Sequence, residues 1–162
     1  MSEQKSAIQS VLEGDVAGNS TPLHPALVHF PLVLYPLSAI MRALGYFELV
    51  SIPGTFQWAH YMNIAAILWT IPTAITGLAE YRNIPSTAAD AHSTVTKHIL
   101  LNTLVTAIGV YNWYSIRNQP GYQPSKLNVI LGLVGVALII GSGHLGGKLV
   151  YKHGLGVQRQ GF

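Results

Sequence analysis

Four long stretches almost free of charge alternate with short polar segments along this chain. The first runs from Pro25 to Tyr46 and holds one charge, Arg42, near its end, where a long side chain can reach an interface. The second lies within Phe56 to Ala79, the third within His98 to Ile116, and the fourth within Leu127 to Val150. Each supplies the roughly 20 mostly apolar residues that a helix rising about 1.5 Å per residue needs to cross a hydrocarbon layer about 30 Å thick. Backbone groups find no water in lipid, so helices satisfy them, and no strand-like alternation argues for a barrel. The pattern predicts an all-α fold, a polytopic membrane four-helix bundle over residues 21–155. A polar tail or interfacial helix at 1–20 precedes it, and a short tail at 156–162 follows.

Local signals agree with these limits. Pro25 suits a first helical turn, and Gly45, Gly77 and Gly154 fall near three ends. Pro31 and Pro36 should bend the first span and strip the carbonyls of Leu27 and Leu32 of their usual partners. In the fourth span Asn128, Gly132, Gly135, Ser142 and Gly146 fall near one face, the small-residue pattern that lets membrane helices approach closely. In the second, His60, Asn63, Thr70 and Gly77 approximate a bundle-facing seam. Both read as packing. In the N-terminal tail Ile8, Val11 and Leu12 keep helical spacing among Glu3, Lys5, Glu13 and Asp15. It lacks the cationic start and cleavage-like boundary of a signal peptide and is expected to be retained.

Composition narrows the chemistry. Of 162 residues, 49% are hydrophobic and only 9% charged, where a soluble domain carries about a quarter charged. A formal charge of +3 on so apolar a chain is no nucleic-acid footprint. The absence of cysteine excludes disulfides, thiolate metal sites and a cysteine nucleophile. Seven histidines are left as the conspicuous ligand chemistry.

Those histidines are unevenly spread. An even number of spans puts both termini on one side, here side A, with the loop from Arg82 to Lys97. His24 and His29 fall at the A end of span one, His92 in the A loop, and His98 at the A end of span three. His144 lies about two turns inside the A end of span four, with His153 just beyond that end. His60 alone belongs to side B. His92 and His60 read as interfacial, whereas His29 and His144 should lie about 6 to 9 Å inside their helix ends, where an unpartnered imidazole is poorly solvated. His24 precedes Pro25, so it is expected to be extended and to cap the bundle mouth. It lies roughly 140° from His29 on an ideal helix.

No acid falls within a span, with Glu48 and Glu80 flanking them, so a carboxylate relay or hard-cation path lacks its parts. Neutral imidazoles suit haem iron, copper or zinc. Haem b needs two imidazoles from different helices, and its propionates favour cations; Arg82, Lys97, Lys148 and Lys152 all fall on side A. His29 and His98 are the expected axial pair, with His24, His144 and His153 as alternates or a second set. Asn102, one turn beyond His98, would orient that ligand or bond a neighbouring helix.

Three motifs carry a family resemblance. The segment from His24 to Pro31 reads HPALVHFP, His98 is followed four residues later by Asn102, and the segment from Gly146 to Val157 reads GGKLVYKHGLGV. Together they resemble the domain-of-unknown-function 2231 membrane family, over residues 20 to 160. The resemblance implies a four-helix membrane protein whose relatives include fusions to Rieske or c-type cytochrome domains, and hence membrane electron transfer. It carries over His24, His29, His98 and His153 as motif histidines; His144 rests on depth alone. The expected function is a small b-type cytochrome with one haem or two, passing electrons between a quinol or soluble donor and a partner redox complex. It is expected to be an electron-transfer subunit rather than a stand-alone enzyme. The alternatives are a copper, zinc or iron site on the same histidines, or a non-catalytic assembly or lipid-binding subunit. A transporter ranks behind these. A bacterial inner membrane is the expected location. Cations on side A (Lys5, Arg82, Lys97, Lys148, Lys152 and Arg159) outnumber those on side B (Arg42, Arg117 and Lys126), which places both termini in the cytoplasm.

Overall fold

The computed structural model describes residues 15–16, 19–20 and 23–155; the remainder of the expected N-terminal helix or tail, and Arg159, lie outside them. A minimal antiparallel pairing of β1 (Asp15–Val16) with β2 (Asn19–Ser20) precedes the helices. These are α1 (Leu23–Leu27), α2 (His29–Tyr46), α3 (Thr55–Tyr81), α4 (Ala89–Ile116) and α5 (Lys126–Tyr151), with a 3-10 turn at Pro120–Tyr122. Counting α1 with α2, four helices are long and apolar enough to cross a membrane. The chain is an all-α four-helix membrane bundle.

The α1/α2 break falls at Val28, just ahead of Pro31. Pro31 has no N–H for the Leu27 carbonyl, while Val28 and Leu32 keep their bonds to His24 and Val28 at 2.9 and 3.0 Å, so the chain bends without losing direction. The third span starts earlier than its apolar run. Helix α4 begins at Ala89, and its first turns, which carry Asp90, His92 and Lys97, project beyond the hydrophobic stretch. His92 and Lys97 are therefore helical rather than in a loop.

Around the bundle α2 packs on α3 and α5, and α4 packs on α5 and α3. Tyr35, Ala66, Val105 and Ile139 form the central apolar layer; Ile84, Ala91, Val95 and Leu149 form a second layer at side A. The surface is apolar outside, with Val33, Leu68, Ile71, Leu100 and Ile140 exposed. Polar side chains turn inward, among them Ser38, Asn63, Thr73, Asn112, Asn128 and Ser142. Lipid gives no reward for hiding apolar surface between helices, so close packing and interhelical hydrogen bonds hold the bundle. The Asn128–Ser142 face of α5 is buried as its small residues suggest, and Gly132 faces Ala39 of α2 with 3.2 Å available to a Cβ.

Candidate functional site

A residue ahead of proline is biased against helix, yet His24 lies inside α1 rather than extended over the bundle mouth. Two features compensate. The first-turn donors of a helix are unbonded anyway, so Pro25 removes nothing; and the His24 ring finds a partner, its Nδ1 lying 2.8 Å from the Thr73 carbonyl oxygen on α3. A carbonyl only accepts, so Nδ1 carries the proton and Nε2 keeps its lone pair. The ring lies against Gly77, where a Cβ would stand 2.8 Å from His24 Cε1. Glycine is required there for the approach.

His98 on α4 has the same arrangement on the opposite wall. Its Nδ1 is 3.0 Å from both the carbonyl oxygen and the Oγ of Ser142 on α5, and its ring passes Gly146 with 3.4 Å from Cε1 to a Cβ there. The lone pair on Nε2 accepts from Asn102 Nδ2 at 3.1 Å, and the same amide nitrogen donates to the His98 carbonyl at 2.9 Å. Ser142 therefore holds the ring through Nδ1 and Asn102 holds it through Nε2. The structure thus holds one imidazole from α1 and one from α4 inside the bundle, each locked by a carbonyl from a further helix.

The other histidines do not join them. His29, the expected partner of His98, is exposed and bonds only the Ala26 carbonyl of its own segment, at 3.3 Å. Helical geometry explains the exchange: with His24 helical, five residues rotate His29 roughly 140° away. His144 is exposed on the outer face. His153 follows the last turn of α5, where Gly154 at φ 69° allows Leu155 N–H to reach the Leu149 carbonyl at 3.0 Å. Its Nε2 stands 3.7 Å from Asp90 Oδ2, the carboxylate that Lys152 Nζ holds at 2.6 Å. His153 thus belongs to the junction between α5 and the start of α4. His92 bonds the Tyr81 hydroxyl and the Pro85 carbonyl, each at 3.2 Å. His60, expected at an interface, is 3% exposed and stacks on Tyr122 with ring centres 4.5 Å apart. Arg82, Lys97 and Lys148 are exposed on side A.

Two functional candidates escaped the reading of the sequence. Glu80 lies within α3 rather than beside it, and its Oε1 is buried without a partner. The spacing of Thr73, Gly77 and Glu80, four and then three residues, marks one helix face and was the available signal. Arg42 does not reach outward but is 3% exposed within the bundle; Tyr35, Ser38 and Arg42 recur at the same helical spacing. Among the described residues no three or more His, Cys, Asp or Glu side chains gather as one ion would need.

The predicted membrane protein family named domain of unknown function 2231 matches residues 20–159. The chain belongs to this family. No curated protein and no solved structure matches it. Of the three sequence motifs, the first places His24 against α3, the second places His98 and Asn102 together, and the last builds the turn at Gly154.

Proposed function

We propose that this member of the family is a small membrane-integral b-type cytochrome, in which His24 and His98 would hold one haem. The observation that carries the reading is the shared Nδ1 lock: each ring gives its proton to a backbone carbonyl, at 2.8 Å for Thr73 and 3.0 Å for Ser142, which leaves the lone pair on Nε2, in His98 engaged by Asn102 at 3.1 Å. That hydrogen bond fixes tautomer and ring direction in metal-ligating histidines. The donor set also fits in number. A zinc or copper site asks for three or four protein ligands, whereas haem supplies four nitrogens of its own and needs two.

When bound, haem would supply one-electron chemistry between a quinol or soluble donor and a partner complex. The chain's part is to orient two neutral imidazoles, exclude water behind Gly77 and Gly146, and offer Arg82, Lys97 and Lys148 to propionates at side A. Ligation by His98 requires Asn102 to release Nε2. The rival reading, histidines that only knit helices in an assembly or lipid-binding subunit, draws on the same interhelical bonds.

A reduced-minus-oxidised spectrum of protein purified after expression with ample haem separates them. Expected are b-type bands in the parent, lost in His24→Ala and in His98→Ala, and retained in His29→Ala and His144→Ala. No bands in the parent, or bands that survive both interior substitutions, ends the cytochrome reading.

A further inference from the structure

Side chains on a helix lean toward its N-terminus. Helix α2 runs from side A to side B, so Arg42, one turn before its end at Tyr46, leans back into the membrane; its Nη2 lies 3.4 Å from Ser38 Oγ. At 3% exposure the guanidinium is enclosed by the bundle. Among the described residues it has no carboxylate partner; Glu48, the acid on side B, is exposed beyond the end of α2. A buried charge without a partner is among the most costly arrangements in a protein, and inside a membrane it marks a functional site by default.

Arg42 lines a cavity of about 20 Å³ together with Tyr35, Ser38, Asn63, Asn112 and the bare backbone of Gly109 and Gly132. That is room for about one water, and hence for a single chloride-sized ion. Part of the hydrogen-bonding capacity of its wall is spent on the bundle itself. Ser38 Oγ donates to the Ala59 carbonyl at 2.7 Å, and Asn63 Nδ2 donates to the Gly109 carbonyl at 2.9 Å. Asn112 Oδ1 accepts from Asn128 Nδ2 at 2.9 Å, which fixes the orientation of that amide. The guanidinium offers five N–H groups, and one contact is made. A second unpartnered group, His60 Nδ1, is buried within electrostatic reach of Arg42. The cavity wall thus carries one positive charge and holds no acid.

We infer that this chamber binds a chloride-sized inorganic monoanion as the counter-ion of Arg42. The site is separate from the histidine pair: Thr73 stands ten positions beyond Asn63 on α3, about 15 Å of helix, so the inference stands whether or not haem is bound.

The test uses the full chain in detergent. Thermal unfolding is followed as chloride replaces gluconate at constant ionic strength, and radiolabelled chloride is measured by equilibrium dialysis. Expected are a saturable rise in the unfolding midpoint, the same rise with bromide, and stoichiometric bound chloride. Asn112→Asp, which builds in a carboxylate, should lose both the chloride dependence and the bound label, as should Arg42→Gln. Should either variant fail to fold, crystals of the parent soaked in bromide decide by an anomalous peak against Arg42. A parent midpoint indifferent to chloride with no bound label above background, or a bromide-soaked cavity holding water alone, overturns the inference.

Discussion

An imidazole whose Nδ1 faces a carbonyl has one tautomer available, and its remaining chemistry is the lone pair on Nε2. For His24 that condition depends on Gly77 as much as on Thr73, because the ring occupies the space of the missing Cβ. Gly77→Ala should displace the ring, break the Thr73 bond and cost about 1–3 kcal/mol, the usual penalty for overfilling a packed site. Gly146→Ala meets His98 at 3.4 Å rather than 2.8 Å and should cost less. Unfolding in SDS measures both, and equal losses would show that the close contact at Gly77 has no special weight. The histidines themselves were legible as motif residues. Their carbonyl partners were not, since Thr73 and Ser142 lie 49 and 44 positions from the rings they hold and a carbonyl has no side-chain signature.

At the scale of elements, hydropathy located three helices to within a couple of residues and missed the start of α4. The reason is physical. An apolar run reports how much helix lies in lipid, whereas α4 continues through Thr94 and Thr96, whose hydroxyls bond the carbonyls of Asp90 and His92 at 2.8 and 2.9 Å. The last turn of α5 is the reverse case, since the glycine at 154 already pointed to a helix end. Gly154→Ala must hold a side chain at φ 69°, which costs about 1–2 kcal/mol and loosens the contact of Leu155 with the layer of Ile84, Ala91, Val95 and Leu149. The expected outcome is a lower SDS unfolding midpoint for Gly154→Ala with the helix content unchanged by circular dichroism.

For the whole molecule, four spans return the chain to its starting side. Reporters fused before residue 23 and after residue 155 should therefore give the same answer, and the excess of cations on side A makes that answer cytoplasmic. The structure strengthens the count, because Arg42 is withdrawn into the bundle and no longer belongs to side B. Reporters on opposite sides of the membrane would contradict the four-span topology; both reporting the outside would contradict only the charge argument.

What the amino-acid order determined by itself was how often the chain crosses the membrane, which ends share a side, and that six histidines collect there. Those properties follow from length, apolarity and parity, all summed along the chain. Which histidine rings turn inward to a carbonyl was decided by the tertiary structure alone, as were the inward turn of Arg42 and the burial of Glu80 Oε1. Each depends on the rotation of a helix about its axis, and that rotation is set by neighbours on other helices. With so few charges and apolar residues on every side, the spans carry little periodic contrast of their own. Only their packing tells an imidazole facing lipid from one facing its partner.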